Sequence, residues 1–339
     1  IAATRMGHHP RPVRLSYAGA VLKLRASQLA PARETRQIGA ELFGLDTVAA
    51  AQRVLNALSG AGARPVLAAD DRAELVEALG ELPGVATLDQ EVTVADLELA
   101  IVLGGDGTIL RAVDLVRGGT APVLGINMGH VGFLAEIEAD DMDDAVRRVI
   151  DRDYDVEERM ALSVRVKDGS GAVVYETWAL NEATVEKASR ERMLEVVLEV
   201  DRRPLSAFGC DGVVIATPTG STAYNFSAGG PVIWPDVEAV AVVPLSAHAL
   251  FARPLVISPE ASVAIEVGAG TNGTGILWVD GRRSQELPPG ARVVVRRSKP
   301  PVRLARLHPA AFTDRLVRKF RLPVVGWRGP SLEQQESAT

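Results

Sequence analysis

The stretch from Leu97 to Leu115, LELAIVLGGDGTILRAVDL, constrains this chain more than any other. A short apolar run, Leu99-Ala100-Ile101-Val102-Leu103, stops at Gly104-Gly105-Asp106-Gly107-Thr108. An apolar spacing of three and four then resumes through Ile109, Leu110, Val113 and Leu115. That pattern predicts a strand, a glycine turn and a helix. Glycines let several backbone N–H groups turn toward one point, and the helix N-terminus adds partial positive charge, so the junction suits a phosphate. Asp106 is the odd member, because a carboxylate among anion-binding amides repels a phosphate. It is tolerable if it faces a bridging metal or removes a proton from an attacking hydroxyl. The stretch therefore reads as a phosphoryl-transfer centre. No Gly-Lys-Ser/Thr follows any glycine loop, which excludes a Walker-type P-loop.

At 339 residues the chain is long for a single core, and two domains are expected. A net charge of −6 argues against general nucleic-acid binding. The single cysteine, Cys210, allows no internal disulfide and fits a reducing cytosol; no neighbouring base activates it. No apolar run is long enough to span a bilayer and no signal-peptide core is visible, so a cytoplasmic protein without membrane contact is expected.

Along the chain, residues 1–45 are the least readable, with one candidate strand at Val13–Leu24. Helical spacing at Thr47–Leu58, a strand at Arg64–Leu67, a helix at Glu74–Leu82, the opening strand–turn–helix and a strand at Pro122–Ile126 predict a parallel sheet with helices on its faces. In such sheets ligands bind beyond the carboxyl ends of the strands, where Gly104–Thr108 and Asn127-Met128-Gly129-His130-Val131-Gly132 would lie. Asp140–Ile150 is a further helix, acidic early and basic late. After Tyr154 the texture changes to short β-rich runs: Leu162–Val166, Val173–Leu180, Leu194–Val200, Val213–Thr217, Ala239–Val243, Leu255–Ile257, Ser262–Val267, Ile276–Val279 and Arg292–Arg297. The basic segment Phe312–Arg321 predicts a packed C-terminal helix or extension.

Two further stretches bear on chemistry. In Gly209–Pro231 the strand Val213–Thr217 is preceded by Asp211 and followed by Thr219, Ser221, Thr222, Ala223, Tyr224, Ser227, Ala228, Gly229 and Gly230. Small residues admit a ligand, hydroxyls meet base, ribose or phosphate edges, and Tyr224 offers a ring, so an uncharged nucleoside fits better than a metal. The bland alternative is close helix–sheet packing. Asn181-Glu182 could read a ribose diol, since a carboxylate accepts bonds from two neighbouring hydroxyls, or could be a solvated turn. Asp280-Gly281 reads locally as a turn. The GxGxxG at Gly268–Gly273 joins two β runs and reads as a hairpin loop. His130, His248 and His308 lack metal-ligand spacing.

In combination, Gly104–Thr108, Leu124-Gly125-Ile126-Asn127-Met128-Gly129-His130-Val131-Gly132-Phe133-Leu134, Asn181-Glu182, Asp211-Gly212 and Thr217-Pro218-Thr219-Gly220-Ser221-Thr222-Ala223-Tyr224 resemble the NAD kinase family over roughly residues 95–325. The closing Phe312–Gly329 looks like actinobacterial members, whereas Arg11–Leu45 departs from the family's opening strand and loop. The resemblance implies an α/β N-terminal domain, 1–157, with a Rossmann-like parallel sheet of the phosphofructokinase and diacylglycerol kinase type. It implies a β-rich, sandwich-like NAD-binding domain at 158–305 and a tail at 306–339 that packs back on the first domain. It also implies transfer of a phosphoryl group from ATP, or inorganic polyphosphate, to the 2′-hydroxyl of the adenosine ribose of NAD, in a homo-oligomer, dimer or tetramer. By position, Asp106 is the implied general base, and Gly104, Gly105, Gly107 and Thr108 the donor-phosphate site. Asp106, Gly107, Asn181, Glu182, Asp211, Thr222, Ala223, Tyr224 and Ser227 are the implied NAD contacts. Mg²⁺ is expected to ride in with ATP, without a dedicated protein cage. A lipid kinase sharing the glycine turn and a non-catalytic dinucleotide sensor are the alternative readings.

Overall fold

The computed structural model describes residues 45–128, 132–189, 193–249, 252–269, 273–307 and 311–324. The candidate strand Val13–Leu24, His130 and His308 lie outside these residues. The first half forms α1 (Leu45–Gly60), β1 (Val66–Leu67), α2 (Ala69–Leu79), β2 (Ala86–Thr87), β3 (Ala100–Leu103), α3 (Asp106–Val116), β4 (Val123–Asn127), β5 (Ile137–Glu138), α4 (Met142–Ile150) and β6 (Asp155–Arg159). Helix α2 starts five residues before the expected Glu74, because Asp70 and Asp71 complement its N-terminus; it stops at Gly80, whose φ of 84° breaks the helix.

Strands β3 and β4 pair in parallel, and β4 pairs β5 in parallel on the way into α4. Every residue of β4 is buried, as expected of a strand covered on both faces. Leu124 and Ile126 pack with Ala50 and Val54 of α1 and Met142 and Val146 of α4. Val123 faces the other way, toward Ile109, Leu110 and Val113 of α3. The doubly covered sheet puts the N-terminus of α3, and with it Asp106, at the carboxyl end of β3.

The second half contains β7 (Leu162–Lys167), β8 (Val173–Ala179), β9 (Glu182–Lys187), β10 (Leu194–Val200), β11 (Arg203–Cys210), β12 (Gly212–Ala216), α5 (Tyr224–Ser227), β13 (Val240–Leu245), β14 (Leu255–Ile257), β15 (Val263–Val267), β16 (Gly275–Val279), β17 (Arg283–Leu287) and β18 (Arg292–Arg297). These strands make two six-stranded sheets, ordered β11-β10-β15-β18-β7-β8 and β14-β13-β12-β9-β16-β17. Val164, Leu198, Ile265 and Val293 of the first share one apolar core with Val185, Ile215, Val242 and Leu277 of the second. The expected sandwich is present.

Several expectations need correction. Glu182 opens a strand instead of occupying a turn, and β11 and β17 were not foreseen. Strand β11 carries Pro204 and polar residues, which an edge strand tolerates because one side of its backbone needs no partner. Gly268–Gly273 does not close a hairpin: β15 and β16, on either side of it, belong to opposite sheets. Finally, β19 (Val302–Arg306) returns to the first sheet, parallel to β4 through Leu304 and antiparallel to β6. Sheet pairing thus crosses the expected limits at 157 and 305, since Val302 and Leu304 complete the face under α3 while Ala305 and Leu307 join the face under α1 and α4. The last helix, α6 (Phe312–Phe320), forms as the basic amphipathic segment predicts.

Candidate active site

Asp106 is the first residue of α3, after Gly105 in extended conformation. Its carboxylate is held by a loop from the next strand connection: Oδ1 accepts the Leu134 N–H at 3.0 Å and Oδ2 the Phe133 N–H at 3.1 Å. Gly132 makes this approach possible, for a Cβ there would stand 2.2 Å from Oδ1. Gly104 is required for a different reason, since its Cβ would meet Thr108 Oγ1 at 2.6 Å. Among the described residues, a Cβ at Gly105 or Gly107 would meet nothing within 4 Å. A fixed carboxylate beside an amide-rich helix start is the arrangement that a phosphate and a reacting hydroxyl need.

The second component is the junction between β8 and β9. Asp280, read locally as a turn, is a buried carboxylate that organises this junction. Its Oδ2 accepts the Leu180 N–H at 3.0 Å, and its Oδ1 those of Asn181 and Glu182 at 2.7 and 3.2 Å. Burial pushes its carboxyl up, against the pull of these amides and of Arg283, whose Nη2 lies 3.0 Å from Oδ2. Arg283 also reaches Asp114 of α3 at 3.4 Å, so one chain of charges joins the Asp106 helix to Asn181-Glu182. Leu180 packs in the same apolar cluster as Ile109, which fixes the two components as one body.

Glu182 is buried, and one of its oxygens, Oε2, has no partner among the described residues. Burial, reinforced by the Asp280 carboxylate, pushes its carboxyl up to about 8, although the Tyr224 backbone N–H donates to it. The Tyr224 hydroxyl meets Glu186, and burial raises the ordinary values of both groups. A buried carboxylate with an unused oxygen is costly unless a ligand hydroxyl completes it. Glu182 pairs with Ala216 and Glu186 with Gly212, so Asp211 lies at the far end of the same strand pair. That is roughly 16 Å from Glu182 at ~3.3 Å per residue, room for a ligand with two distinct ends. Asp211 is ion-paired to Lys187 at 2.5 Å, and bonding to Lys187 lowers its carboxyl.

Of the residues expected to line a nucleoside, Tyr224 meets Glu182 through its backbone N–H, Thr222 and Ala223 are half-buried, and Ser227 is exposed at the end of α5. The hydroxyls of Thr217 and Ser221 are corrections: Thr217 Oγ1 donates to the Leu180 carbonyl at 2.5 Å, and Ser221 Oγ donates to the Pro218 carbonyl at 2.6 Å. They build the loop instead of facing a ligand. Gly220 explains the closeness of this packing, because a Cβ there would fall 2.0 Å from the Asn181 carbonyl oxygen. His248 bonds through its backbone to Gly209, and burial pushes the Cys210 thiol up to about 12, which leaves it inert. Asp280 and Arg283 were missed because their partners lie about a hundred residues or more away, where no local pattern reaches; Gly132, within a quoted motif, was legible as a glycine but not as the neighbour of Asp106. No group of three or more His, Cys, Asp or Glu able to hold a metal occurs among the described residues. No described helix is long and apolar enough to cross a membrane.

The ATP-NAD kinase N-terminal domain matches residues 73–154 and the ATP-NAD kinase C-terminal domain residues 180–307, while a histidyl-tRNA synthetase domain matches residues 1–66. An NAD kinase of Leifsonia xyli subsp. xyli is 65% identical over 285 residues, covering 84% of this chain and 93% of that protein. An NAD kinase of Thermobifida fusca is 64% identical over 243 residues, 71% of this chain and 74% of the relative. NAD kinase 2 of Streptomyces coelicolor is 61% identical over 251 residues, 73% and 83% of the two chains. Among solved structures, yeast NADH kinase complexed with NADH shares the fold with a TM-score of 0.74 at 24% identity, covering 84% of this chain and 86% of that one. An NAD kinase from Archaeoglobus fulgidus in complex with ATP gives 0.58 at 27% identity, covering 76% and 98%.

Proposed function

The chain belongs to the NAD kinase family, and from that premise we propose how its residues make NADP from NAD and a phosphoryl donor. Glu182 takes the ribose hydroxyls of the adenosine half of NAD, with Asn181, Thr222, Ala223, Tyr224 and Ser227 around the nucleoside. Asp211, at the other end of the strand pair, meets the nicotinamide half. The unpartnered Oε2 of Glu182 supports this reading most directly, since a hydroxyl donor would relieve a buried orphan acceptor.

Gly104, Gly105, Gly107 and Thr108 contribute backbone to the donor phosphates at the start of α3. Asp106 removes the proton from the 2′-hydroxyl as its oxygen bonds to the terminal phosphorus; the bond from that phosphorus to the bridging oxygen breaks, and the shortened donor leaves with the electron pair. Holding the carboxylate by two backbone N–H groups fixes its aim at low entropic cost. Mg²⁺ fits here as an ion carried by the donor's own oxygens, with Asp106 as the carboxylate available to it; when bound it neutralises phosphate charge.

The donor is ATP, with inorganic polyphosphate as a second donor, and the enzyme works in the cytosol as a homo-oligomer, dimer or tetramer. Exposed Val173 and Val174 on edge strand β8 suit burial against a further copy. The test is NADP formation by purified protein given NAD with ATP or polyphosphate, with and without a chelator. Both donors should support turnover and chelation should abolish it; turnover that resists chelation contradicts the proposed role of the ion.

A further inference from the structure

We propose that Arg315, on the C-terminal helix, is a positioning residue that aims Asp106 through a single peptide unit. The inference rests on the reading of Asp106 as proton acceptor. The Phe133 carbonyl and the Leu134 N–H belong to the same peptide. The N–H donates to Asp106 Oδ1 at 3.0 Å, while the carbonyl accepts from Arg315 Nη1 at 3.0 Å. A cationic donor on the carbonyl polarises the amide and strengthens the bond its N–H gives, by roughly 10–30% in chained hydrogen bonds. The next carbonyl, Leu134, accepts from Arg306 Nη1 at 3.3 Å. Both guanidiniums are anchored on Glu136, at 2.8 Å for Arg315 and 2.9 Å for Arg306, and the Glu136 side chain is only 1% exposed. Arg315 therefore cannot swing away without leaving a buried carboxylate short of a partner.

Helix α6 is also fixed by rings. Phe133 lies 6.0 Å from Phe312 and 5.7 Å from Phe320. Phe320 stacks on Phe226 at 4.3 Å, and Phe312 meets Trp234 edge-on at 5.1 Å. The helix thus touches both the loop that grips Asp106 and, through Phe226 and Trp234, the segment within and after the nucleoside residues. It ties the loop that holds the base to the nucleoside segment.

The consequence is a selective loss. Arg315→Met should lower kcat for NADP formation by on the order of tenfold or more while the Kd for NAD stays within about twofold, because misaim affects the reacting geometry and not ground-state binding. Arg315→Lys, which keeps a donor for the Phe133 carbonyl, should recover part of the loss, and added methylguanidinium should raise kcat of Arg315→Ala. Arg318→Met, on the exposed side of the same helix, should leave kcat unchanged. If Arg315→Met does not fold, Arg315→Lys carries the same comparison of kcat with NAD affinity. The proposal is overturned by unchanged kcat, by NAD affinity falling in step with kcat, or by a selective loss that neither lysine nor methylguanidinium repairs. If Asp106→Asn is inactive while Arg315→Met is normal, this inference alone fails; if Asp106→Asn turns over normally, the parent reading fails.

Discussion

Adding one methyl group at Gly132 tests how tightly the reaction depends on the placement of Asp106. In Gly132→Ala the new Cβ would lie 2.2 Å from Oδ1, 2.8 Å from Cγ and 3.1 Å from Oδ2. Ordinary carbon–oxygen contact begins near ~3.5 Å, so the carboxylate or the loop must yield by roughly 1 Å. Gly132 does not use a left-handed φ, so alanine costs little in backbone strain and the effect is this contact alone. The carboxylate has nowhere to go cheaply, because both oxygens already hold the Phe133 and Leu134 amides and losing one such charged bond costs ~1.5–3 kcal/mol. A misplacement of ~1 Å at a reacting group costs about 10²-fold in rate, equivalent to ~2.7 kcal/mol in the barrier. Initial rates of NADP formation, with the melting temperature measured in parallel, are the assay. The expected outcome is a kcat lower by about two orders of magnitude, with NAD affinity little changed and the melting temperature down by several degrees. Gly60→Ala, whose Cβ meets nothing within 4 Å among the described residues, serves as control. A folded Gly132→Ala enzyme with kcat within twofold of the parent would refute the reasoning, for then the position of the carboxylate does not limit the reaction.

The remaining predictions concern the ribose side. Glu182 should make apo stability fall with pH: its carboxyl is pushed up to about 8 in the folded chain from an ordinary 4.5, so between these values the unfolded chain releases a proton that the folded chain retains. Glu182→Gln should remove that penalty, giving a melting temperature that gains on the parent from pH 5 to pH 8 and levels off above, by the equivalent of a few kcal/mol at most; a difference that does not change with pH contradicts the assignment. The same variant should bind NAD about tenfold or more weakly, because an amide donor replaces one oxygen that would face the ribose hydroxyls, and unaltered affinity by calorimetry rejects the ribose role. Asp280→Asn puts an amide donor where the carboxylate accepts N–H bonds, so it should cost ~2–4 kcal/mol of stability and weaken NAD binding with it; a stable protein with normal NAD affinity would show that Asp280 does not organise Asn181-Glu182.

Sequence reading succeeded where the physics is local. The apolar run before Gly104 and the spacing after it required a strand and a helix, the alternation in Leu162–Val166 fits a half-buried strand, and the β-rich run Ser262–Val267 became a mostly buried one. Glu182 was legible as a residue type but not as a strand residue, because its own segment is polar and the pairing that orders it, with Ala216, spans more than thirty positions. Asp280 was illegible for the same reason in stronger form: an Asp-Gly pair looks like any turn until the amides of Leu180, Asn181 and Glu182 converge on it. The hydroxyls of Thr217 and Ser221 misled, since a small polar side chain can serve a ligand or a backbone carbonyl and the sequence does not distinguish them. Arg315 read as one charge of a basic helix, and only the fold brings it to the Phe133 carbonyl.

The central claim is that Asp106 accepts the proton of the ribose hydroxyl, and Asp106→Asn tests it most directly. The substitution keeps the shape of the side chain and should leave NAD binding intact by calorimetry, while NADP formation under saturating NAD, ATP and Mg²⁺ falls by orders of magnitude. NADP formation at the parental rate would remove Asp106 from the mechanism.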